Sequence, residues 1–148
     1  MRALLSSCEP VELASLCSSA PWFRLPPIPQ RKNLLMQRMS LAAIAREQLE
    51  AARRTPSSRA SVTAFGGHEH ALRQTVIALT AGAALDEHEN PGEATVLVLS
   101  GRVELTAAGQ AWQARQDDLL VVPDAVHALR ALEDSVVLLT AVPRGHIR

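Results

Sequence analysis

A chain of 148 residues, 47% hydrophobic and 20% charged, has the length of one domain and the composition of an ordinary globular fold. At that size it buries roughly two-thirds of its unfolded surface, so folding requires neither a disulfide nor a structural metal. A net charge of zero removes the basic field expected of a nucleic-acid binder, and no apolar run reaches the ~18 residues that span a bilayer as a helix.

Charge is unevenly distributed. Residues 24–60 carry eight basic groups against Glu47 and Glu50, whereas residues 61–148 carry six basic against eleven acidic groups. The two parts are either solvated surfaces or mutually attractive ones, within a chain or between two. Cys8 and Cys17 are the only cysteines and no histidine precedes His68. A zinc site needs about four ligands, so two free thiols are expected. Ser6, Ser7, Glu9 and Glu12 interrupt the apolar core that a secretory signal requires, and the expected location is the cytoplasm.

Residues 1–39 read as an irregular leader, with Pro10, Pro21, Pro26, Pro27 and Pro29 and no sustained period. Met36 and Met39 lie just before the first helix signal, so a natural start at either would put the leader outside the natural protein. Residues 40–54 read as a helix. Ser40 is a suitable cap, and Leu41, Ile44, Ala45, Gln48, Leu49 and Ala52 line one face at helical spacing. Glu50 and Arg54 stand at i, i+4, Arg53 and Arg54 suit the C-terminal end of the dipole, and Thr55-Pro56 stops the helix. Four turns are marginal alone, so the stripe must pack on something.

From 59 to 142 the texture is that of short strands. The expected runs are Ser61–Phe65, Leu72–Thr80, Ala84–His88, Thr95–Leu99, Arg102–Thr106, Gln110–Arg115, Leu119–Val122, Val126–Ala131 and Ser135–Val142. Turn signals separate them, including Pro91-Gly92, which has the sequence of a type II turn. Eight or nine strands without an intervening helix indicate an all-β sandwich or closed barrel, followed by a short tail at 143–148.

The stretch from Gly82 to Gly101 resembles the first motif of the cupin superfamily, with both glycines and His88 in place. The stretch from Asp117 to His127 resembles the second, with Pro123 and His127 matching. The resemblance implies an all-β cupin barrel (a double-stranded β-helix or jelly roll) of the small cupin-2 kind, carrying one N-terminal amphipathic helix. Metal-dependent members hold a divalent ion such as iron, manganese, nickel or zinc with three histidines and a glutamate. Carried over, the set here is degenerate. His88 and His127 match ligands, Asn90 stands at the second histidine and Ala94 at the glutamate, and Asp117 replaces a turn glycine. Asn90 and Glu93 are the supplementary candidates for a weakly held metal, although Glu93 faces the opposite side of its strand from Ala94.

Three functions follow from the resemblance: a barrel that binds a small molecule, with or without a weak divalent metal; a metal-dependent oxygenase or isomerase; and a non-catalytic structural or partner-binding module. A homodimer is expected. His68 and His70 alternate beside Gly66-Gly67 and read as a solvated rim, Arg73 as an edge residue or an anion contact, and Trp112 as core or dimer interface. No nucleophile elbow and no phosphate loop occurs. Truncation to Met36 should leave the melting temperature within a few degrees of the full chain's; a larger loss in a thermal melt would mean that the leader is packed.

Overall fold

A computed structural model describes residues 36–146 apart from Pro91, so the expectation for residues 1–35 lies outside the described part. Helix α1 runs Leu41–Arg54. Ser40 is extended and its hydroxyl accepts from the Ala43 N–H at 3.3 Å, satisfying one of the donors that a helix start leaves free. Ala45 and Ala52 are buried, and Leu41, Ile44 and Leu49 pack partly buried beside Val76, Ala78, Val136 and Leu138. The stripe therefore finds its partner within its own chain. Glu50 pairs with Arg53 at 2.7 Å rather than with Arg54.

Nine strands follow: β1 (Arg59–Phe65), β2 (Arg73–Leu79), β3 (Ala84–His88), β4 (Gly92–Ser100), β5 (Arg102–Ala107), β6 (Gln110–Arg115), β7 (Leu119–Val121), β8 (His127–Ala131) and β9 (Ser135–Pro143). They form two antiparallel sheets, ordered β1-β2-β9-β4-β7 and β3-β8-β5-β6, the jelly-roll arrangement expected of the cupin resemblance. Alternation places Ile77, Leu79, Val96, Val98, Val103, Leu105, Leu129 and Val137 between the sheets as one core. The outer face of the five-stranded sheet carries α1. Among the described residues no helix is long and apolar enough to cross a membrane.

Two turns depart from expectation. Gly92 lacks the positive φ of a type II turn and instead opens β4. A Cβ there would meet the Val142 carbonyl oxygen at 2.0 Å, so glycine is needed for close approach to β9. Asp117, at the place of the motif glycine, has φ +70°; aspartate tolerates the left-handed region better than most residues. The chain also does not fray at 143. β9 includes Pro143, and Arg144 in the following 3-10 turn donates to Asp124 and, at 3.5 Å, to the Asn90 carbonyl.

Among the described residues, basic and acidic parts meet at Arg53–Asp134 and, more loosely, at Arg59–Asp86, 3.9 Å apart. Arg53 donates through Nε and Nη2 to one oxygen of Asp134, at 3.0 and 2.9 Å, and the other oxygen accepts from the Ala81 N–H at 2.9 Å. Asp134 thus joins the end of α1 to the β2–β3 and β8–β9 turns. The Ala81 N–H foremost, and then the Arg53 guanidinium, hold its carboxyl below the usual carboxylate range. A depressed folded-state value contributes stability that is complete above the ordinary aspartate value of about 3.9 and is lost as pH falls from there through the folded-state value. Both partners are largely exposed to solvent screening, so the pair's contribution is small. Asp134→Asn should therefore lower stability at pH 7, and the gap to wild type should close below about pH 4 in denaturant melts at several pH values. Ile44→Asp, which puts a charge under the helix, should cost more, about 2 kcal/mol by the same measurement.

Candidate functional site

β3 and β8 are neighbours in the four-stranded sheet, and their register carries the site. Ala84 pairs with Arg130 and Leu85 with Leu129, a register that would set Glu87 opposite His127. A bulge between Leu85 and His88 adds one residue to β3, so that His88 faces His127 instead. Because side-chain direction alternates along a strand, a single extra residue changes which side chain is aimed inward. The imidazole centroids stand 4.4 Å apart with ring planes tilted by 57°. His127 is buried at 7% exposure, whereas His88 is exposed, so the pair runs from the interior to the rim.

Both rings are held in the same way. His88 Nδ1 lies 2.8 Å from the Asp86 carbonyl oxygen and His127 Nδ1 lies 3.0 Å from that of Ala125. A carbonyl oxygen only accepts, so each Nδ1 carries a proton, and Nε2 is the acceptor atom in the neutral form of each ring. The two imidazoles line one cavity of about 30 Å³, whose other walls are aliphatic: Ile77, Leu85, Val96, Leu105, Val122, Leu129, Val137 and Leu139. That volume holds a water-sized group, since a water needs ~10–15 Å³.

The supplementary candidates are not brought into this cavity. Asn90 is buried at 4%, and its Nδ2 donates to the Val122 and Pro123 carbonyls at 3.2 and 3.1 Å while its Oδ1 accepts from the Gly92 N–H at 3.1 Å. Both amide hydrogens are committed to bracing the β3–β4 connection against the segment after β7. Glu93 is exposed and lines a separate open groove of about 700 Å³, together with Asn90, Thr95, Val121, Asp124 and Arg144. Ala94 does face the core, and a methyl group is no ligand. Among the described residues no three His, Cys, Asp or Glu side chains are grouped to hold a metal ion. The three-histidine, one-glutamate set therefore does not fit these residues, and no reaction step is derived through a metal held that way.

The remaining candidates stand elsewhere. His70 lies 3.4 Å from Glu69 and its ring 4.6 Å from that of Phe65, and neither it nor His68 lines the histidine cavity. Arg73 is exposed at the start of β2, a strand inside the five-stranded sheet rather than at its edge. Trp112 is 41% exposed on the edge strand β6, opposite Leu105, which removes the core position from the two expected, core or dimer interface.

Comparison with known proteins agrees with this geometry. The family described as "Cupin domain" matches residues 75–143, from β2 to the end of β9. Residues 75–143 of this chain form a cupin-like domain. Among solved structures, a conserved protein of unknown function from Streptococcus pyogenes is 30% identical, with a TM-score of 0.54 over 60% of this chain and 77% of that one. An RmlC-like cupin protein from Desulfovibrio desulfuricans is 25% identical, with a TM-score of 0.51 over 57% and 82%. A cupin 2 conserved barrel domain protein from Leptotrichia buccalis is also 25% identical, with a TM-score of 0.55 over 63% of this chain but only 45% of that one. No curated protein matches the sequence. The likenesses establish the cupin fold and bring no reaction to this chain.

Asn90 has a measurable structural consequence. Asn90→Ala should remove a donor from the Val122 carbonyl and one of two from the Pro123 carbonyl, which keeps the Ala125 N–H, and cost about 1 kcal/mol in urea unfolding. A neutral result would mean that water replaces the amide without loss.

Proposed function

We propose that this cupin binds a small ligand through the His88–His127 pair, and that the ligand presents a hydrogen-bond donor or a cation. The observation that supports this most is the matched support of two adjoining imidazoles: both line one apolar cavity, and each Nδ1 is spent on a backbone carbonyl, which leaves Nε2 of each ring for a ligand. Two adjoining acceptors ask for a hydroxyl, an ammonium or a metal ion, and they repel a carboxylate. The cavity's 30 Å³ admits one such group, so the rest of a larger ligand lies at the mouth, beside exposed His88. A weakly held divalent cation is the second occupant considered. The Nδ1–H to carbonyl bond is the support that metal-ligating histidines commonly have, but two imidazoles without a carboxylate give it neither charge neutralisation nor a full shell.

The test is calorimetric titration of tag-free protein with zinc or nickel chloride. One weak site is expected, reduced at least about tenfold, or about 1.4 kcal/mol, in His127→Ala. Binding should weaken on acidification, because protons compete for the same nitrogens. Imidazole ¹⁵N shifts read the tautomers without any ligand, and a neutral ring protonated at Nε2 would refute the proposed acceptor pair. Asn90→His together with Ala94→Glu should tighten metal binding by orders of magnitude where the strand geometry of a complete cupin site persists.

A further inference from the structure

We infer that the ligand of the histidine pair is a short hydroxycarboxylate, whose hydroxyl meets the imidazoles while its carboxylate meets Arg59; this rests on the ligand-binding reading of that pair. A second space beside the first carries the inference. β1 ends one sheet and β3 the other, and Arg59 of β1 donates through Nη1 to the Ala84 carbonyl of β3 at 3.2 Å. Here lies an open groove of about 370 Å³ lined by Arg59, Ala60, Ser61, Ile77 and Leu85. Ile77 and Leu85 line the histidine cavity as well, so the same two aliphatic side chains border both spaces.

Register explains the lining. Arg59 pairs with Leu79 and Ser61 with Ile77, so alternation puts both on the face of β1 that looks toward the other sheet. An inward charge on an edge strand discourages pairing with another chain, but Arg59 is also the only charged residue of the groove. Among the described residues its Nε and Nη2 have no bonded partner. A guanidinium offers a carboxylate a fork of donors, and the Ser61 hydroxyl adds one more beside it. One guanidinium balances a carboxylate, whereas a phosphomonoester's charge of about −1.5 to −2 exceeds it. Asp86 links the two ends of the site. Its carbonyl oxygen accepts from His88 Nδ1 at 2.8 Å, and its carboxylate, 91% exposed, stands 3.9 Å from Arg59 Nη1. So long and wet a contact is readily exchanged for a ligand's carboxylate. The methylenes of that ligand would lie against Ile77 and Leu85, and its hydroxyl would find an acceptor in a cavity otherwise lined by aliphatic side chains.

NMR titration of ¹⁵N-labelled full chain with 4-hydroxybutyrate, 5-hydroxypentanoate and 6-hydroxyhexanoate measures the span between the two ends. One chain length should bind best, and about tenfold tighter than the alkanoate of that length without the hydroxyl. Arg59→Gln should weaken its binding about tenfold and leave zinc binding unchanged. His127→Ala should weaken the hydroxy acid but not the alkanoate. Asp86→Asn keeps the carbonyl on His88 and removes the competing carboxylate, so it should tighten binding severalfold. A mere brace between strands would give no such gain, and the gain keeps the test decisive where Arg59→Gln destabilises the fold. Equal binding of hydroxy acid and alkanoate, indifference to Arg59→Gln, or weaker binding in Asp86→Asn would each overturn the hydroxycarboxylate. If no acid binds while zinc still titrates His127, the hydroxycarboxylate is refuted and the histidine site stands. If neither binds, both fall. If Arg59 holds the acids but His127→Ala changes nothing, the groove is an anion site alone and the joint ligand is refuted.

Discussion

The apolar contact between the two inner sheet faces governs what this molecule can do. Branched and small aliphatic side chains fill the space between the sheets so completely that about 30 Å³ remains beside the histidines. Beside the histidines that packing leaves space for a water-sized group. It also removes every charged neighbour from the cavity, so the two imidazoles are its only polar lining. A ligand must then match two neutral acceptors in a low-dielectric setting, where an unsatisfied donor or an unneutralised dication is costly.

That cavity owes its polar lining to a local irregularity. Without the extra residue in β3, Glu87 would oppose His127 and His88 would turn to the other face. The two residues of the bulge region, Asp86 and Glu87, are exposed, and the Asp86 carbonyl holds the His88 ring. The bulge therefore does two things at once: it selects the histidine by parity and supplies the acceptor that fixes its tautomer. His127 obtains the same support from Ala125, in the segment between β7 and β8. Matched support on two strands gives the pair a single chemical character, that of an acceptor.

Much of this was legible in the sequence, and the limits have physical causes. Strands such as Arg102–Ala107 declare themselves because one face is buried and the other wet, which writes a period of two into the residues. The helix does so by its Leu41, Ile44, Ala45, Leu49 stripe. His88 and His127 are recognisable through their spacing from Gly82 and Pro123. The task of Asn90 is not, because an amide committed to the Val122 and Pro123 carbonyls looks in sequence like one free to bind. Nor is the choice of Arg53 by Asp134, which depends on a β8–β9 turn 81 residues away. The choice left open for Trp112, core or interface, has a related cause: strand periodicity gives the face on which a residue lies, but not that β6 ends its sheet.

Asn90 and Ala94 make sense as a pair. A carboxylate at position 94 would project into the aliphatic core, where an unpaired charge is unfavourable without a cation to neutralise it. Alanine removes that cost, and with it any need for a metal to hold the charge. The mouth of the barrel also carries a tie between the β3–β4 connection and the chain after β7. Asn90 provides it through two donated bonds and one accepted bond, and Arg144 adds a donor to the same backbone at 3.5 Å. The two departures from the cupin ligand pattern are thus mutually consistent: one empties the cavity of charge, and the other holds its rim with hydrogen bonds. What remains beside the cavity is the histidine pair, on a rim tied by hydrogen bonds.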